Sequence, residues 1–219
     1  MKIRVWDLPT RLFHWMLAVA VVALVATAQV GGEAMVWHFR LGYLVLALLL
    51  FRGAWGLVGG YWSRFASFVR GPAAVWRYLR GRGEPLQAVG HTPLGSLSVL
   101  AMLLALAAQV GSGLFADDEI ATTGPFAAQV STALSLRLTW YHTVIGEPLV
   151  IGLVLLHLAA IGYYAGVRRQ NLLGPMCSGD KEVDMAAPAS RDSAATRAGA
   201  LVVFAVALAA VAALLQMAG

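Results

Sequence analysis

Histidine is the residue type of this chain best suited to chemistry, and four of its five copies lie inside apolar stretches. An imidazole in hydrocarbon is costly unless it has a partner, so an ionisable side chain at membrane depth indicates a functional site. A single intramembrane histidine often only bonds a neighbouring helix. A set of four, each of which needs a partner, favours a shared chemical role. These residues are His14, His38, His142 and His157.

The chain around these histidines has the composition of a membrane protein. Apolar residues make up 59% of its 219 residues and charged residues only 12%, whereas soluble domains carry roughly 25% charged residues. Several windows reach or approach the roughly 20 apolar residues that cross the hydrocarbon of a bilayer. We therefore predict an all-α membrane protein with five transmembrane helices, centred on residues 12–30, 41–51 with their flanks, 94–115, 149–167 and 199–218.

The basic residues are unevenly distributed between the predicted loops. Of the 16 Lys and Arg residues, all but Arg40 and Arg137 fall on one side of the membrane. By the positive-inside rule, this predicts a cytoplasmic N-terminus and a C-terminus on the opposite side. The net charge of +5 is explained by this topology and by attraction to anionic membrane lipid. Nucleic acid is therefore not an expected partner.

A change in composition divides the chain near residue 176. Residues 1–175 hold the first four spans without a Pro/Ser-rich interruption. Residues 176–197 are charged, small and weakly hydrophobic, which predicts a cytoplasmic linker. Residues 198–219 then form the fifth helix, which has no histidine and is expected to be an accessory anchor or a docking surface.

Two other segments have patterns of their own. Residues 61–82 alternate aromatic side chains with arginines, which predicts an amphipathic helix in the membrane interface with Pro72 at a turn or helix start. The N-terminal basic residues, the apolar run and the triplet at residues 26–28 resemble a secretory signal. That apolar run is long for a signal, so we expect the segment, and His14 with it, to be retained.

The spacing of the histidines predicts two pairs. His142 and His157 are 15 residues apart in the fourth span, which in a regular α-helix separates them by about 60° around the axis and about 22 Å along it. His14 lies near the cytoplasmic end of the first span and His38 near the outer end of the second. His14 therefore matches His157 in depth, and His38 matches His142.

Paired imidazoles of this kind are suited to an iron macrocycle. Two histidines that face each other from neighbouring helices can hold a haem between them in the core of a bundle. One turn further on, Gly42 follows His38 and Gly146 follows His142, which would leave room for the macrocycle. Zinc or copper would need three or four ligands at one point. Two layers with two ligands each favour haem.

The segments that carry these histidines also resemble a known family. They are similar to bacterial di-haem b-type cytochromes of the cytochrome b561 family, which includes the membrane cytochrome subunit of nickel-iron hydrogenases. The similarity covers nearly all of residues 5–176, and the family's axial ligands fall on the four histidines named above. The matching stretches are WDLPTRLFHW (6–15), WHFRLGY (37–43), GHTPLG (90–95), GLFADDEIATTGP (113–125), YHTVIG (141–146), LHLAAIGYY (156–164) and NLLGPM (171–176).

The resemblance implies a fold and a function. The fold would be a four-helix transmembrane haem-binding bundle with one additional C-terminal helix, in the inner membrane of a bacterium, with the C-terminus periplasmic. Two haem b groups would carry electrons between the quinone pool and a c-type cytochrome, a dehydrogenase subunit or a hydrogenase subunit. The chain departs from the family at Glu147-Pro148 and in its fifth helix. The alternatives are an anchor subunit with structural haems, and a transporter that uses histidines and Glu147 as a proton path.

Residues near the predicted haem layers have two interpretations each. Arg11, Arg40 and Arg137 are either counter-charges for haem propionates or interface anchors. His91 would cap the third span, bond a propionate, or contact a quinone and its protons. Glu147 is expected to pair with an arginine. Two glycine pairs, residues 56 and 60 and residues 162 and 166, permit close helix contact and hence a homodimer.

Overall fold

The computed structural model describes residues 1–218, and in this range five helices are long and apolar enough to cross a membrane. The prediction of an all-α protein with five transmembrane helices is confirmed. Each span begins earlier than its apolar window alone indicated, because polar and aromatic residues at the interface continue the helix. The spans are Leu8–Val30, Gly32–Val58, Pro93–Gly113, Thr132–Gly166 and Ala194–Gln216.

The regular elements alternate between these long helices and short pieces in the connections. The strands are β1 (Lys2–Arg4) and β2 (Asp180–Glu182). The helices are α1 (Leu8–Val30), α2 (Met35–Val58), α3 (Phe65–Phe68), α4 (Pro72–Leu79), α5 (Pro93–Gly113), α6 (Thr132–Trp140), α7 (Glu147–Gly166), α8 (Leu173–Ser178) and α9 (Ala194–Gln216). Short 3₁₀ turns lie at Gly32–Ala34, Tyr61–Ser63, Pro85–Ala88 and Ala127–Gln129, and a π-helical turn at Tyr141–Gly146 joins α6 to α7.

The chain folds into two compact units, which we name after the first histidine of each. The His14 unit comprises Met1–His14, Arg52–Ala101 and Leu156–Val203. The His38 unit comprises Trp15–Phe51, Met102–Leu155 and Phe204–Gly219. Each unit contains one of the two predicted histidine pairs.

The His38 unit is held together by small and branched side chains between four helices. Ala20 of α1, Val45 of α2 and Val110 of α5 form one buried cluster. A second buried cluster joins α5 to Val150 of α7 through Ala105 and Leu106. Small residues allow helix backbones to approach closely in a membrane, so this unit has the packing expected of a transmembrane bundle.

The His14 unit has a core of a different kind, built from strands and loops. β1 pairs antiparallel with β2, with Ile3 opposite Lys181. Ile3, Trp6, Trp62 and Val183 are buried together beside this strand pair. The sequence pattern does not predict this strand pair, because three-residue strands show no periodicity that distinguishes them from a loop.

The segment predicted to be a linker is folded within the His14 unit. Residues 176–197 include the end of α8, β2 and the beginning of α9. The side chain of Ser190 is buried and its backbone N–H donates to the carbonyl of Arg4 at 2.7 Å, while the indole N–H of Trp62 donates to Pro188 O at 2.8 Å. Low hydrophobicity predicts a cytoplasmic linker, and nonlocal hydrogen bonds hold this segment against β1 and the Tyr61–Ser63 turn.

The predicted interfacial helix is divided into shorter pieces. Residues 61–82 contain the 3₁₀ turn Tyr61–Ser63 and the helices α3 and α4, and α4 does begin at Pro72. Gly71 precedes that helix in an extended conformation. A proline at the first helical position is favourable because its missing N–H would have no partner there.

A buried carboxylate connects the ends of α1 and α2 in the His14 unit. Asp7 is 0% exposed and accepts hydrogen bonds from the N–H groups of Thr10 at 2.8 Å and Gly60 at 3.0 Å. It also accepts from the hydroxyl of Ser63 at 2.9 Å and from the indole of Trp55 at 3.3 Å. A Cβ on Gly60 would overlap the Asp7 carboxylate. Asp7 thus caps α1 and fixes the chain that leaves α2.

Candidate functional site

The structure brings the four membrane histidines together in two pairs. In the His14 unit, the ring centroids of His14 and His157 lie 6.4 Å apart and the rings are tilted by 53°. In the His38 unit, the centroids of His38 and His142 lie 6.2 Å apart and the rings are inclined by 80°. These are the two pairings that the depth argument predicted.

The separation of the rings can be compared with simple bond geometry. A nitrogen in a five-membered ring with bonds of about 1.33 Å lies about 1.1 Å from the ring centre, and a metal–imidazole bond is about 2 Å long. Two imidazoles on opposite sides of one metal therefore have centroids about 6.2 Å apart. A direct imidazole–imidazole hydrogen bond would bring them to about 5.1 Å. Both observed distances fit a shared metal and exceed a direct bond.

The His142 ring is oriented by the backbone of α5. Its Nδ1–H donates to the carbonyl of Gln109 at 2.8 Å, and the hydroxyl of Ser112 lies 3.3 Å from the same nitrogen. A carbonyl only accepts, so the proton resides on Nδ1 and the lone pair on Nε2. A histidine that binds a metal through one nitrogen commonly donates from the other. His142 therefore has the tautomer that a metal ligand needs.

His38 is oriented in the same way by α1. Its Nδ1–H donates to the carbonyl of Leu24 at 3.1 Å, and Thr27 Oγ1 lies 3.4 Å from this nitrogen. The lone pair is again left on Nε2. In the His38 unit, both rings are thus prepared for a ligand by neutral backbone carbonyls.

His142 lies in the π-helical turn Tyr141–Gly146 between α6 and α7. The side-chain amide of Gln109 donates to the carbonyl of His142 at 2.9 Å, so Gln109 contacts this residue through both its backbone and its side chain. π-helical turns occur often at functional sites. The turn also departs from the regular α-helix that the predicted angle of about 60° between His142 and His157 assumed.

Glycine makes room for the His142 ring, although not at the predicted position. A Cβ on Gly113 would lie 2.8 Å from Cε1 of His142, so the ring packs directly against α5. Gly146, predicted to leave space for a macrocycle, instead faces Gln109, whose side chain would overlap a Cβ there. Gly42 has open space beside it, with no atom within 4 Å. Gly146 thus contacts Gln109, whereas Gly42 has open space beside it, and a role of either glycine in haem binding stays a prediction.

Of the three predicted counter-charges, two are exposed and the third, Arg11, is partly buried. Arg40 is exposed and lies over the Trp37 ring at 5.0 Å, as an interface anchor would. Arg137 is exposed as well. Arg11 donates from Nη1 to the carbonyl of Cys177, while its buried Nε has no hydrogen-bond partner. Of the three, Arg11 has the environment of a group that awaits an acceptor.

Glu147 does not have the partner that was predicted. It accepts a hydrogen bond from the side-chain amide of Gln29 at 3.1 Å. Among residues 1–218, the ion pairs involve other carboxylates and no arginine pairs with Glu147. The prediction of an arginine partner is wrong, because the hydrogen-bond partner of this carboxylate is the neutral amide of Gln29 on α1.

His91 lies just before α5, between aromatic rings. Its ring centroid is 4.7 Å from that of Trp6 and 4.6 Å from that of Phe68, and its buried Nδ1 has no hydrogen-bond partner. Burial, followed by the positive charge of Arg52, lowers the pKa of His91 to about 3, so the ring is neutral. The helix is capped instead by Thr92, whose hydroxyl accepts from the N–H of Gly95 at 3.1 Å.

Three residues of these surroundings escaped the sequence analysis. Gln109 and Ser112 are polar side chains three residues apart in an otherwise apolar span, a pattern that marks one helix face. Arg52 was counted as a loop residue, yet it lies in α2 and is only 4% exposed. Its position within an apolar run was the available signal, since a charge there indicates function.

The two pairs are the places in the described chain where a metal could bind. In residues 1–218, no group of three or more His, Cys, Asp or Glu side chains converges as a metal site. The zinc and copper alternative requires such a group. The arrangement that the structure offers is two separate sites with two imidazoles each.

The chain is similar to known membrane cytochromes. Residues 5–179 match the family of prokaryotic cytochrome b561. Two proteins described as probable Ni/Fe-hydrogenase B-type cytochrome subunits, from Azotobacter chroococcum mcd 1 and Azotobacter vinelandii, are each 26% identical to the chain over 213 residues. Each alignment covers 80% of this chain and 86% of the relative. No solved structure has significant similarity to the chain.

Proposed function

Because the chain belongs to the prokaryotic cytochrome b561 family, we propose that it transfers electrons across a membrane through two haem b groups, each held by one histidine pair. Family membership itself establishes a multi-pass membrane protein of electron transfer with haem b. The proposal adds the number of haems and their ligands. His14 and His157 would hold one, and His38 and His142 the other.

The observation that carries this proposal is the separation of the rings in both pairs. Centroid distances of 6.4 and 6.2 Å agree with the distance of about 6.2 Å that two metal–imidazole bonds require. One pair in each unit reaches this value. Packed rings in general lie about 4.5–7 Å apart, so the separation supports the proposal together with the orientation of His38 and His142 by backbone carbonyls.

The residues of each pair determine what the cofactor can do. A haem iron whose axial positions are both filled by imidazole changes oxidation state without binding oxygen or substrate. The carbonyls of Leu24 and Gln109 keep Nε2 of His38 and His142 unprotonated, as a metal ligand requires.

The proposed path crosses the bilayer. The sequence places His142 and His157 at different depths of one span, and the basic loops place the N-terminus in the cytoplasm. The His14 pair would then serve the cytoplasmic half and the His38 pair the periplasmic half of the inner membrane. Electrons would pass between the two haems along the fourth span.

The partners follow from the relatives and from this path. Two relatives are described as hydrogenase cytochrome subunits, so we place a hydrogenase subunit, a dehydrogenase subunit or a c-type cytochrome at the periplasmic side. The quinone pool is the proposed partner within the membrane lipid. We also propose a homodimer in which the glycine pairs allow close helix contact. At Gly56 and Gly60, however, Phe65 and Asp7 of the same chain already fill the space beside the glycine.

Haem content in histidine variants tests the proposal. The purified protein should show the absorption spectrum of reduced b-type haem and two haems per chain. His14→Ala and His157→Ala should remove one haem, and His38→Ala and His142→Ala the other. A folded protein with no haem after haem-replete expression, or loss of haem in another pattern across these pairs, would contradict it.

A kinetic experiment separates an electron carrier from an anchor with structural haems. In stopped-flow mixing with a quinol analogue, a carrier should be reduced and then reoxidised on the timescale of turnover. Haems that stay oxidised under these conditions would instead identify an anchor subunit.

A further inference from the structure

A buried arginine in the His14 unit lacks the partner that its charge requires. Arg52 of α2 is 4% exposed, and its buried Nη1 has no hydrogen-bond partner. A buried charge is destabilising unless it is paired and hydrogen-bonded. Its guanidinium lies over the rings of Phe65 at 4.6 Å and Phe68 at 5.8 Å. These aromatic faces attract the cation but accept no conventional hydrogen bond.

The nearby carboxylate does not supply the missing acceptor. Asp7 contributes electrostatically to the environment of Arg52. However, its oxygens already accept from two backbone N–H groups, a hydroxyl and an indole, and no ion pair joins it to Arg52 within residues 1–218. The guanidinium is therefore held in place, but its buried Nη1 still has no acceptor.

A second unsatisfied nitrogen lies in the same unit. Nδ1 of His91 is buried without a hydrogen-bond partner. His91 lies within electrostatic range of Arg52, His157 and His14, and both Arg52 and His91 lie against Phe68. The His14 unit therefore contains a guanidinium and an imidazole, each with a buried nitrogen that has no hydrogen-bond partner, together with one of the proposed haem-binding histidine pairs.

The chemistry of these groups selects a carboxylate as their ligand. A guanidinium presents parallel N–H groups that match a carboxylate, and a neutral imidazole still donates one N–H. We propose that Arg52, assisted by His91, binds a propionate carboxylate of the haem held by His14 and His157. This inference rests on the proposed function, because it requires a haem at that pair.

The close packing around Arg52 supports a prepared site. A Cβ on Gly56, one turn after Arg52, would overlap the Phe65 ring, so that ring lies directly on α2 beside the guanidinium. Phe68 is itself only 2% exposed. The arginine is thus restrained on its aromatic side, while its Nη1 needs an acceptor that these side chains do not supply.

Reduction potentials of the two haems test this assignment. A positive charge beside the haem stabilises its reduced form, so Arg52→Gln should lower the midpoint potential of the His14–His157 haem and leave the other unchanged. Arg52→Lys, which keeps the charge but loses the planar fork, should give a smaller shift, and so should His91→Phe. Arg64→Gln is the matched control, because Arg64 also lies over a ring, that of Tyr61 at 5.9 Å, but is exposed.

The outcomes separate this inference from the proposed function. If two haems are present and Arg52→Gln shifts neither potential, or shifts both equally, the inference is wrong while the proposed function stands. If the chain binds no haem at the His14–His157 pair, the proposed function fails first.

A modified haem tests the inference even if Arg52→Gln does not fold. Haem whose propionates are methyl esters cannot accept the charge-assisted hydrogen bonds of Arg52, so with Arg52 intact it should dissociate from the His14–His157 pair more readily than ordinary haem. Equal retention of the two haems at this pair would overturn the inference. Where Arg52→Gln does fold, esterification should weaken retention less in that variant.

Discussion

The two units of the chain achieve almost the same separation between paired histidines by different means. In the His38 unit, neutral carbonyls of Leu24 and Gln109 orient the rings within a core of small apolar side chains. In the His14 unit, the pair shares its surroundings with buried charged groups, Asp7 and Arg52, and with a strand pair. Similar ring separations therefore occur in different electrostatic surroundings.

This difference would matter for the two proposed haems. A buried guanidinium beside a haem would favour its reduced state, whereas neutral dipoles have no such bias. The His14 unit should also depend more on nonlocal contacts, because β1 precedes the first span and β2 follows the fourth. Variants that affect only one unit can test this contrast.

The largest expected effect is in the His14 unit at Asp7. Asp7→Ala leaves the N–H groups of Thr10 and Gly60 without their acceptor in a buried site, which should cost about 3–5 kcal/mol of unfolding free energy. Thermal unfolding in detergent should show the His14–His157 haem released first. Asp184→Ala is the control, since Asp184 is exposed. Simultaneous release of both haems would show that the effect of Asp7→Ala is not confined to the His14 unit.

An intermediate effect is expected in the His38 unit at Gly113. Gly113→Ala would place a methyl group 2.8 Å from the His142 ring, and overpacking of this kind costs about 1–3 kcal/mol. The His38–His142 haem should therefore be lost at lower temperature while the other is retained. Gly111→Ala is the matched control two residues away, where no atom lies within 4 Å. Equal behaviour of the two variants would show that the ring does not pack on α5.

The smallest effect concerns pH and the connection between β1 and α9. Burial alone would raise the pKa of Asp192, but hydrogen bonds from Arg197 and the N–H of Leu8, with the charges of Arg197 and Arg4, lower it below its ordinary 3.8. A lowered pKa means that Asp192 stabilises the fold above pH 3.8 and that this contribution is lost as the pH falls through the folded-state pKa.

Unfolding temperatures measure the contribution of Asp192. Asp192→Asn should unfold at a slightly lower temperature than the unmodified chain at pH 7, and the difference should shrink progressively as the medium is acidified. Asp184→Asn, at an exposed position, should make little difference at either pH. A deficit of Asp192→Asn that grows in acid would show that the sign is wrong.

The apolar runs and the depths of the histidines within the spans were sufficient to predict part of this molecule. Apolar runs identified the five spans, and matching depths paired His14 with His157 and His38 with His142. Both arguments need only the helical repeat and the thickness of a bilayer. The ligand role of these residues remains a prediction, although the geometry supports it.

What the sequence pattern missed depends on contacts between distant residues. Asp7 was not recognised as a buried acceptor because, apart from the N–H of Thr10, its donors come from residues 55–63. The π-helical turn at His142 is stabilised by Gln109 on another helix, and no local propensity predicts it. Arg52 was the exception, since a charge in an apolar run is visible without a structure.

The pairing of β1 with β2 also bears on how the protein is made. β1 precedes the first span, whereas β2 follows the fourth. β1 therefore stays unpaired until all four of these spans have been synthesised. His14 and His157 likewise can face each other only once the fourth span exists, so a haem held by this pair would be inserted after that point.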